Sequence, residues 1–134
     1  MKNFVIIVLI LCLPMMLLAQ EKKATANKLK SITVYEQKFE KGPGKVLIES
    51  VIEYDQAGNI IKEIEYKDGK VVKHFTYRYD NSHNKIQETE MDPSGKKIKE
   101  TGYKYNSNNL RTEKIVYDAN DRILSKKIYK YETY

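Results

Sequence analysis

Three side-chain patterns in this chain carry chemical possibilities: its tyrosines, its paired carboxylates and its two histidines. The tyrosines are the most ordered of these. Tyr77-Arg78-Tyr79, Tyr103-Lys104-Tyr105 and Tyr129-Lys130-Tyr131 recur at spacings of 26 and 26 residues. A tyrosine joins an apolar ring to a polar tip, so a row of them can stack sugar rings or anchor a protein partner. The same row can instead hold a sheet together through cross-strand contacts. Tyr77, Tyr79, Tyr103, Tyr105, Tyr129 and Tyr131 are therefore the candidate binding residues.

The other patterns explain themselves without chemistry. Glu63/Glu65 and Glu88/Glu90 lie two apart, which is the spacing of a charged strand face rather than of an acid and base flanking a sugar bond. His74 and His83 have no second ligand at metal spacing. Asp80, Asn84, Asp118, Asn120 and Asp121 fall in turn-forming strings, and no twelve-residue calcium loop surrounds them. No Gly-x-Ser-x-Gly, phosphate-cradling glycine loop or Ser beside a His is present, so the sequence points away from an enzyme, a metal or a cofactor.

The elements that must position the tyrosines follow from the repeat. A degenerate copy, Ile52-Glu53-Tyr54, stands 25 residues before Tyr77-Arg78-Tyr79, and a second series at Tyr66, Met91 and Tyr117 is spaced 25 and 26. The period is thus two units of 12 to 14 residues. Each aromatic position leads into a turn-forming string: Asp55 to Asn59, Lys67-Asp68-Gly69, Asp80 to Asn84, Asp92 to Gly95, Asn106 to Asn109 and Asp118 to Asp121. Between turns lie runs rich in Ile, Val, Thr and Tyr, which predict strands over residues 31–39, 45–54, 60–66, 70–79, 85–91, 96–105, 110–117 and 122–131. The expected fold is all-β, an antiparallel up-and-down meander of about eight strands in residues 31–134, built from tandem hairpins.

Alternation along strands places Val46, Ile48, Ile52, Tyr54, Ile64, Tyr66, Val71, Phe75, Tyr77 and Tyr79 on one face, continued by Met91, Tyr103, Tyr105, Ile115, Tyr117, Ile123, Tyr129 and Tyr131. Ile61, Val72, Ile86, Ile98, Leu110 and Leu124 fall on the other. On this reading the tyrosine pairs form two rows, spaced by twice the roughly 4.8 Å strand separation, with Tyr79, Tyr105 and Tyr131 more exposed than Tyr77, Tyr103 and Tyr129. The sheet is expected to stay curved and open, with a small closed barrel around an apolar ligand as the alternative.

The N-terminus has a different composition. Lys2 precedes an uncharged apolar run from Phe4 to Leu18, and Ala19 precedes a charged stretch, which is the pattern of a signal peptide over residues 1–19 with a polar lead over residues 20–30. The run is too short for a bilayer span of roughly 20 residues, so no stable span is expected after cleavage. Cys12 follows Leu11 rather than a small residue, which argues against lipid attachment. Without residues 1–19 the chain has no cysteine, and 23 Lys and Arg face 18 Asp and Glu for a net +5. Those charges alternate in sign along the chain, as at Lys62-Glu63 and Lys99-Glu100, which is the pattern of a solvated face and not of a nucleic-acid site.

Tyr54-Asp55-Gln56-Ala57-Gly58-Asn59-Ile60 resembles the YD repeat of bacterial RHS-type proteins, and Tyr66-Lys67-Asp68-Gly69-Lys70-Val71 resembles MORN-like bacterial repeats. Later copies depart from the pattern at Asn84, Asn109, Asp121-Arg122 and Met91. The resemblance implies export and a β-hairpin array, and it carries no catalytic residues. The expectation is an exported module, periplasmic, secreted or at the cell surface, that binds an envelope or surface protein or glycan through one sheet face.

Overall fold

The computed structural model describes residues 28–39 and 42–134. The signal peptide with Cys12, and residues 20–27 of the polar lead, lie outside the described residues. Eight strands follow in chain order: β1 (Ser31–Gln37), β2 (Val46–Tyr54), β3 (Ile60–Lys67), β4 (Lys70–Tyr79), β5 (Lys85–Met91), β6 (Lys97–Tyr105), β7 (Arg111–Asp118) and β8 (Ile123–Ile128). Each pairs antiparallel with the next, giving one sheet in the order β1-β2-β3-β4-β5-β6-β7-β8. β1 and β8 are its two edges and do not meet, so the sheet is open. The alternative of a closed barrel is thereby overturned.

One turn builds most of the meander. At Asp55 the backbone N–H donates to the Asn59 carbonyl at 2.9 Å, and the Gly58 N–H donates back to the Asp55 carbonyl at 3.1 Å. The Asp55 carboxylate accepts the amides of Ala57 and Asn59, both at 2.9 Å. Asp80, Asp92, Asn106 and Asp118 repeat this pattern, each accepting the amides two and four residues on. It is a type I turn followed by a left-handed residue, capped from within by an Asp or Asn side chain. The left-handed position is filled by Gly58, His83, Gly95, Asn109 and Asp121. The β3–β4 connection differs, with Asp68 and Gly69 both at positive φ in a two-residue hairpin.

Turns at one end of the strands also touch one another. Asn59 Nδ2 lies 3.3 Å from His83 Nδ1, and Asn84 Nδ2 donates to Asn109 Oδ1 at 2.9 Å. This end, where β2, β4 and β6 finish, is called the upper end below.

From β2–β3 onward every hairpin carries a bulge just after its turn, whereas in β1–β2 the extra residue is Glu49, further along β2. Glu53 pairs with Lys62 and Tyr54 with Ile60, which leaves Ile61 as the extra residue. Val72, Ile86, Ile98, Thr112 and Leu124 are the extra residues of the later hairpins. Five of the six aliphatics expected on the opposite face are thus bulge residues, and Thr112 takes the place expected of Leu110.

The bulges correct the expected face. An inserted residue reverses the alternation beyond it. Glu63 pairs with Phe75, whereas Ile64 pairs with His74, so Ile64 and Tyr66 lie on the face opposite Phe75 and Tyr77. Following the register, Met91, Ile115 and Tyr117 share that opposite face. Val46, Ile48, Val71 and Ile123 go with their partners Gln37, Tyr35, Tyr66 and Tyr117 to the same side. Ile52, Tyr54, Phe75 and all six candidate tyrosines remain together. Their side is the tyrosine face.

Among the described residues no second layer covers either face. Among the described residues the buried apolar cluster is Ile52, Tyr54 and Ile60, with Ile32 and Tyr77 packed on it, and no side chain is fully enclosed. The strands end within two residues of their expected bounds, except that β8 stops at Ile128 instead of residue 131. Its partner β7 begins at Arg111, and Tyr129 keeps one bond beyond the strand, from its N–H to the Thr112 carbonyl at 2.9 Å.

Two outcomes follow from the turn. A left-handed conformation costs a residue with a Cβ roughly 1–2 kcal/mol, so His83→Gly is expected to raise stability by about 1 kcal/mol and Gly95→Ala to lower it by about as much in urea titrations. Hydrogen bonds favour the charged forms of Asp80, Asp92 and Asp118, chiefly from the Asn84 side chain, the Ser94 hydroxyl and the Arg122 amide respectively, and hold them below the ordinary value of 3.8. The unfolded chain then binds more protons in acid, so stability is present above the ordinary range and is lost as pH falls through it. Asn106 makes the same turn with a neutral side chain. An Asp80→Asn/Asp92→Asn/Asp118→Asn variant should therefore show a flatter urea midpoint between about pH 5 and about pH 2 than the parent chain. An equal slope in both would mean that the turns do not govern acid stability.

Candidate functional site

The tyrosine face is organised by which strand supplies which residue at the upper end. β2, β4, β6 and the segment after β8 finish there with Ile52/Tyr54, Tyr77/Tyr79, Tyr103/Tyr105 and Tyr129/Tyr131. β3, β5 and β7 begin there with Ile60, Lys85 and Arg111, which pair with Tyr54, Tyr79 and Tyr105. Tyrosines on alternate strands are two strand spacings apart, and the intervening strand places a side chain between them. In β5 and β7 that side chain is a cation.

The result is an alternating row. Lys85 Nζ lies 5.0 Å from the Tyr77 ring centre and 5.6 Å from that of Tyr103. The Arg111 guanidinium carbon lies 4.4 Å from the Tyr103 ring centre and 5.9 Å from that of Tyr105. Lys114 Nζ reaches the Tyr103 ring at 6.0 Å. Each such contact contributes about 0.5–1 kcal/mol where solvent has access. Partial burial opposes the charge on Arg111, but the Tyr105 and Tyr129 hydroxyls beside it more than offset this and raise its pKa.

The hydroxyls have separate tasks. Tyr105 donates to the Lys85 carbonyl at 2.8 Å, and Tyr131 donates to the Arg111 carbonyl at 2.7 Å. Each clamps the preceding odd-numbered strand next to its bulge. Tyr77 donates to Glu63 Oε2 at 2.9 Å, and Glu63 Oε1 meets Lys73 Nζ at 3.0 Å. Burial, then the negative charge of Glu63, pushes the Tyr77 hydroxyl pKa well above its ordinary value. Burial and then Glu88 raise that of Tyr103. Phe75 lies beside Tyr77 with ring centres 6.2 Å apart and planes within 12°.

The six candidate tyrosines do form one surface, but their exposure does not follow the expected order. Tyr79 and Tyr105 are half-buried like Tyr77, Tyr103 and Tyr129, and only Tyr131 is open, at 49%. The Tyr105 hydroxyl bonds a backbone carbonyl, which holds its ring down on the sheet, whereas Tyr131 makes the same bond from beyond the end of β8 and stays open. Sequence reasoning also missed Lys85 and Arg111. Their signal is positional, since each is the first strand residue after an upper-end turn. Among the described residues no three His, Cys, Asp or Glu side chains come together as a metal site. His74 lies in β4 on the face opposite the row, and His83 lies in a turn. No known family model matches the sequence, and no curated protein matches it either.

The division of labour is measurable. Tyr105→Phe should cost about 0.5–1.5 kcal/mol because it orphans the bond to the Lys85 carbonyl. Tyr103→Phe keeps its ring between Lys85 and Arg111 and should stay within about 0.5 kcal/mol of the parent chain. Equal losses in urea titrations would show that the two tyrosines act alike.

Proposed function

We propose that this chain is an exported, non-enzymatic β-repeat module that binds a macromolecular partner, protein or glycan, of the cell envelope or surface through its tyrosine face. The observation that carries the reading is the half-exposed row Tyr77, Lys85, Tyr103, Arg111 and Tyr129 on a sheet that no second layer covers among the described residues. Flat aromatic faces between fixed cations suit an extended partner laid across the strands. The apolar N-terminal run and the resemblance to YD repeats support export, and neither pattern brings catalytic residues with it.

A capture experiment tests the reading. The purified chain would be used as bait on a cell-envelope extract, with protein and glycan fractions assayed separately. Tyr103→Ala/Tyr129→Ala should reduce the recovered partner at least about ten-fold, while Tyr66→Ala/Tyr117→Ala on the opposite face should retain it. Circular dichroism would verify that both variants keep their strands. Equal recovery by the two would remove the tyrosine face as the binding surface.

A further inference from the structure

Strand lysines of this sheet generally stand beside a carboxylate. Lys62 meets Glu53 at 3.1 Å, Lys73 meets Glu65 at 2.9 Å, Lys99 meets Glu90 at 2.6 Å, and Lys104 and Lys126 share Glu113 at 3.0 Å each. Apart from Lys67 and Lys70, which flank the β3–β4 turn, the exceptions lie together. Lys114 of β7 stands directly across from Lys127 of β8 on the tyrosine face, and neither has an ion-pair partner among the described residues. The next register position, Thr101, Val116 and Ser125, is neutral. The nearby acids are engaged elsewhere, Glu88 with Lys85 and Asp118 with Arg122.

Arg111 adds a third positive charge. It and Lys114 both approach the Tyr103 ring, and the Arg111 Nε is shut off from solvent without a hydrogen-bond partner among the described residues. Like charges placed directly opposite each other destabilise a sheet. A glutamate at position 114 or 127 would relieve them, as glutamates do across the rest of the sheet. The cluster therefore costs stability in the free chain and is suited to an anion from outside.

We infer that Arg111, Lys114 and Lys127 form an anion subsite of the tyrosine face, and that the ligand is an acidic polysaccharide. Its carboxylate or sulfate groups sit on the cations, and its sugar rings lie on Tyr103 and Tyr129. Tyr103 stands level with Lys114 and Lys127, and Tyr129 stands two residues further along, beside Thr112, so cations and ring faces alternate over neighbouring positions and a repeating polyanion with flat apolar ring faces matches both features. The inference rests on the tyrosine face being a binding face and specifies what it binds.

Calorimetric titration of the full chain with polygalacturonate, dextran sulfate, unsubstituted dextran and polyaspartate tests it. The two acidic polysaccharides should bind, more weakly as salt is added. Dextran should not bind, and polyaspartate should bind at least about ten-fold more weakly because it offers no ring to the tyrosines. Lys114→Gln/Lys127→Gln should weaken acidic polysaccharide binding by about ten-fold or more. Lys127→Glu should abolish that binding and yet raise the Tm of the free chain by about 2–5 °C, because it gives Lys114 a cross-strand partner. A purely structural role for Lys127 would lower that Tm, and this result would overturn the inference. So would polyaspartate binding as tight as that of the polysaccharides, or lysine variants that bind like the parent chain. Dextran binding lost in Tyr129→Ala but kept in the lysine variants would leave the tyrosine face a binding surface and remove its anion subsite. No heat with any polymer would overturn the inference outright, while the capture experiment still decides the tyrosine face on its own.

Discussion

The capped turn is the constraint on which the rest of this structure depends. An Asp or Asn oxygen that accepts the amides two and four residues ahead holds the chain in a type I turn and a left-handed residue. That geometry returns the chain with one residue too many, which appears as the bulge at Ile61, Ile86, Ile98, Thr112 or Leu124, while the two-residue β3–β4 hairpin has its own bulge at Val72. The bulge in turn decides which face each aromatic residue occupies. Tyrosines that end even-numbered strands collect on one side at the upper end, and Tyr66, Met91 and Tyr117 collect on the other side at the lower end. A shift of one residue in the turn would scatter both groups.

Because no second layer covers the sheet among the described residues, their stability has to come sideways from neighbouring strands. Ile52, Tyr54 and Ile60 are the buried apolar side chains among the described residues, and they sit together between β2 and β3. Elsewhere the long stems of Lys and Glu lie across the sheet as ion pairs, and they shield apolar surface as well as balancing charge. On the opposite face the Tyr117 ring lies against Gly102, 3.7 Å from where a Cβ would stand, so even a strand glycine is covered from the side. Core and binding surface are not exclusive under this arrangement. A ring flanked by Lys85 and Arg111 can hold β5 to β7 together with its edges and still present one flat side to solvent.

What the sequence made legible divides along the same physical line. Strand positions and turns could be read because both are local: Asp, Asn and Gly mark the turns, and β-branched and aromatic residues mark the strands. The assignment of Ile64, Tyr66, Met91, Ile115 and Tyr117 to the tyrosine face failed because a bulge leaves no residue type of its own. It is visible only as a unit length that ordinary pairing cannot accommodate. The open sheet could be read from composition, since the loosely apolar positions are too few to fill an eight-stranded barrel. Lys85 and Arg111, by contrast, went unnoticed. Charge alternation along the chain suggested a solvated face, whereas their neighbours across strands are aromatic.

The first residue after each upper-end turn changes in a directed way along the sheet, from Ile60 to Lys85 to Arg111. At the β2–β3 end an aliphatic residue closes the gap beside Tyr54, and that part becomes the most buried region. At β5 a lysine enters the gap, balanced by Glu88. At β7 an arginine enters with no carboxylate of its own among the described residues, and Lys114 and Lys127 follow it without acidic partners there. The same backbone position thus runs from apolar packing to unbalanced charge over three hairpins. A repeat whose turns and bulges are fixed can vary this one position without disturbing the fold, because the ring on either side accepts an aliphatic or a cationic neighbour. Anchoring and recognition can then occupy opposite ends of one aromatic row, and the row itself need not change.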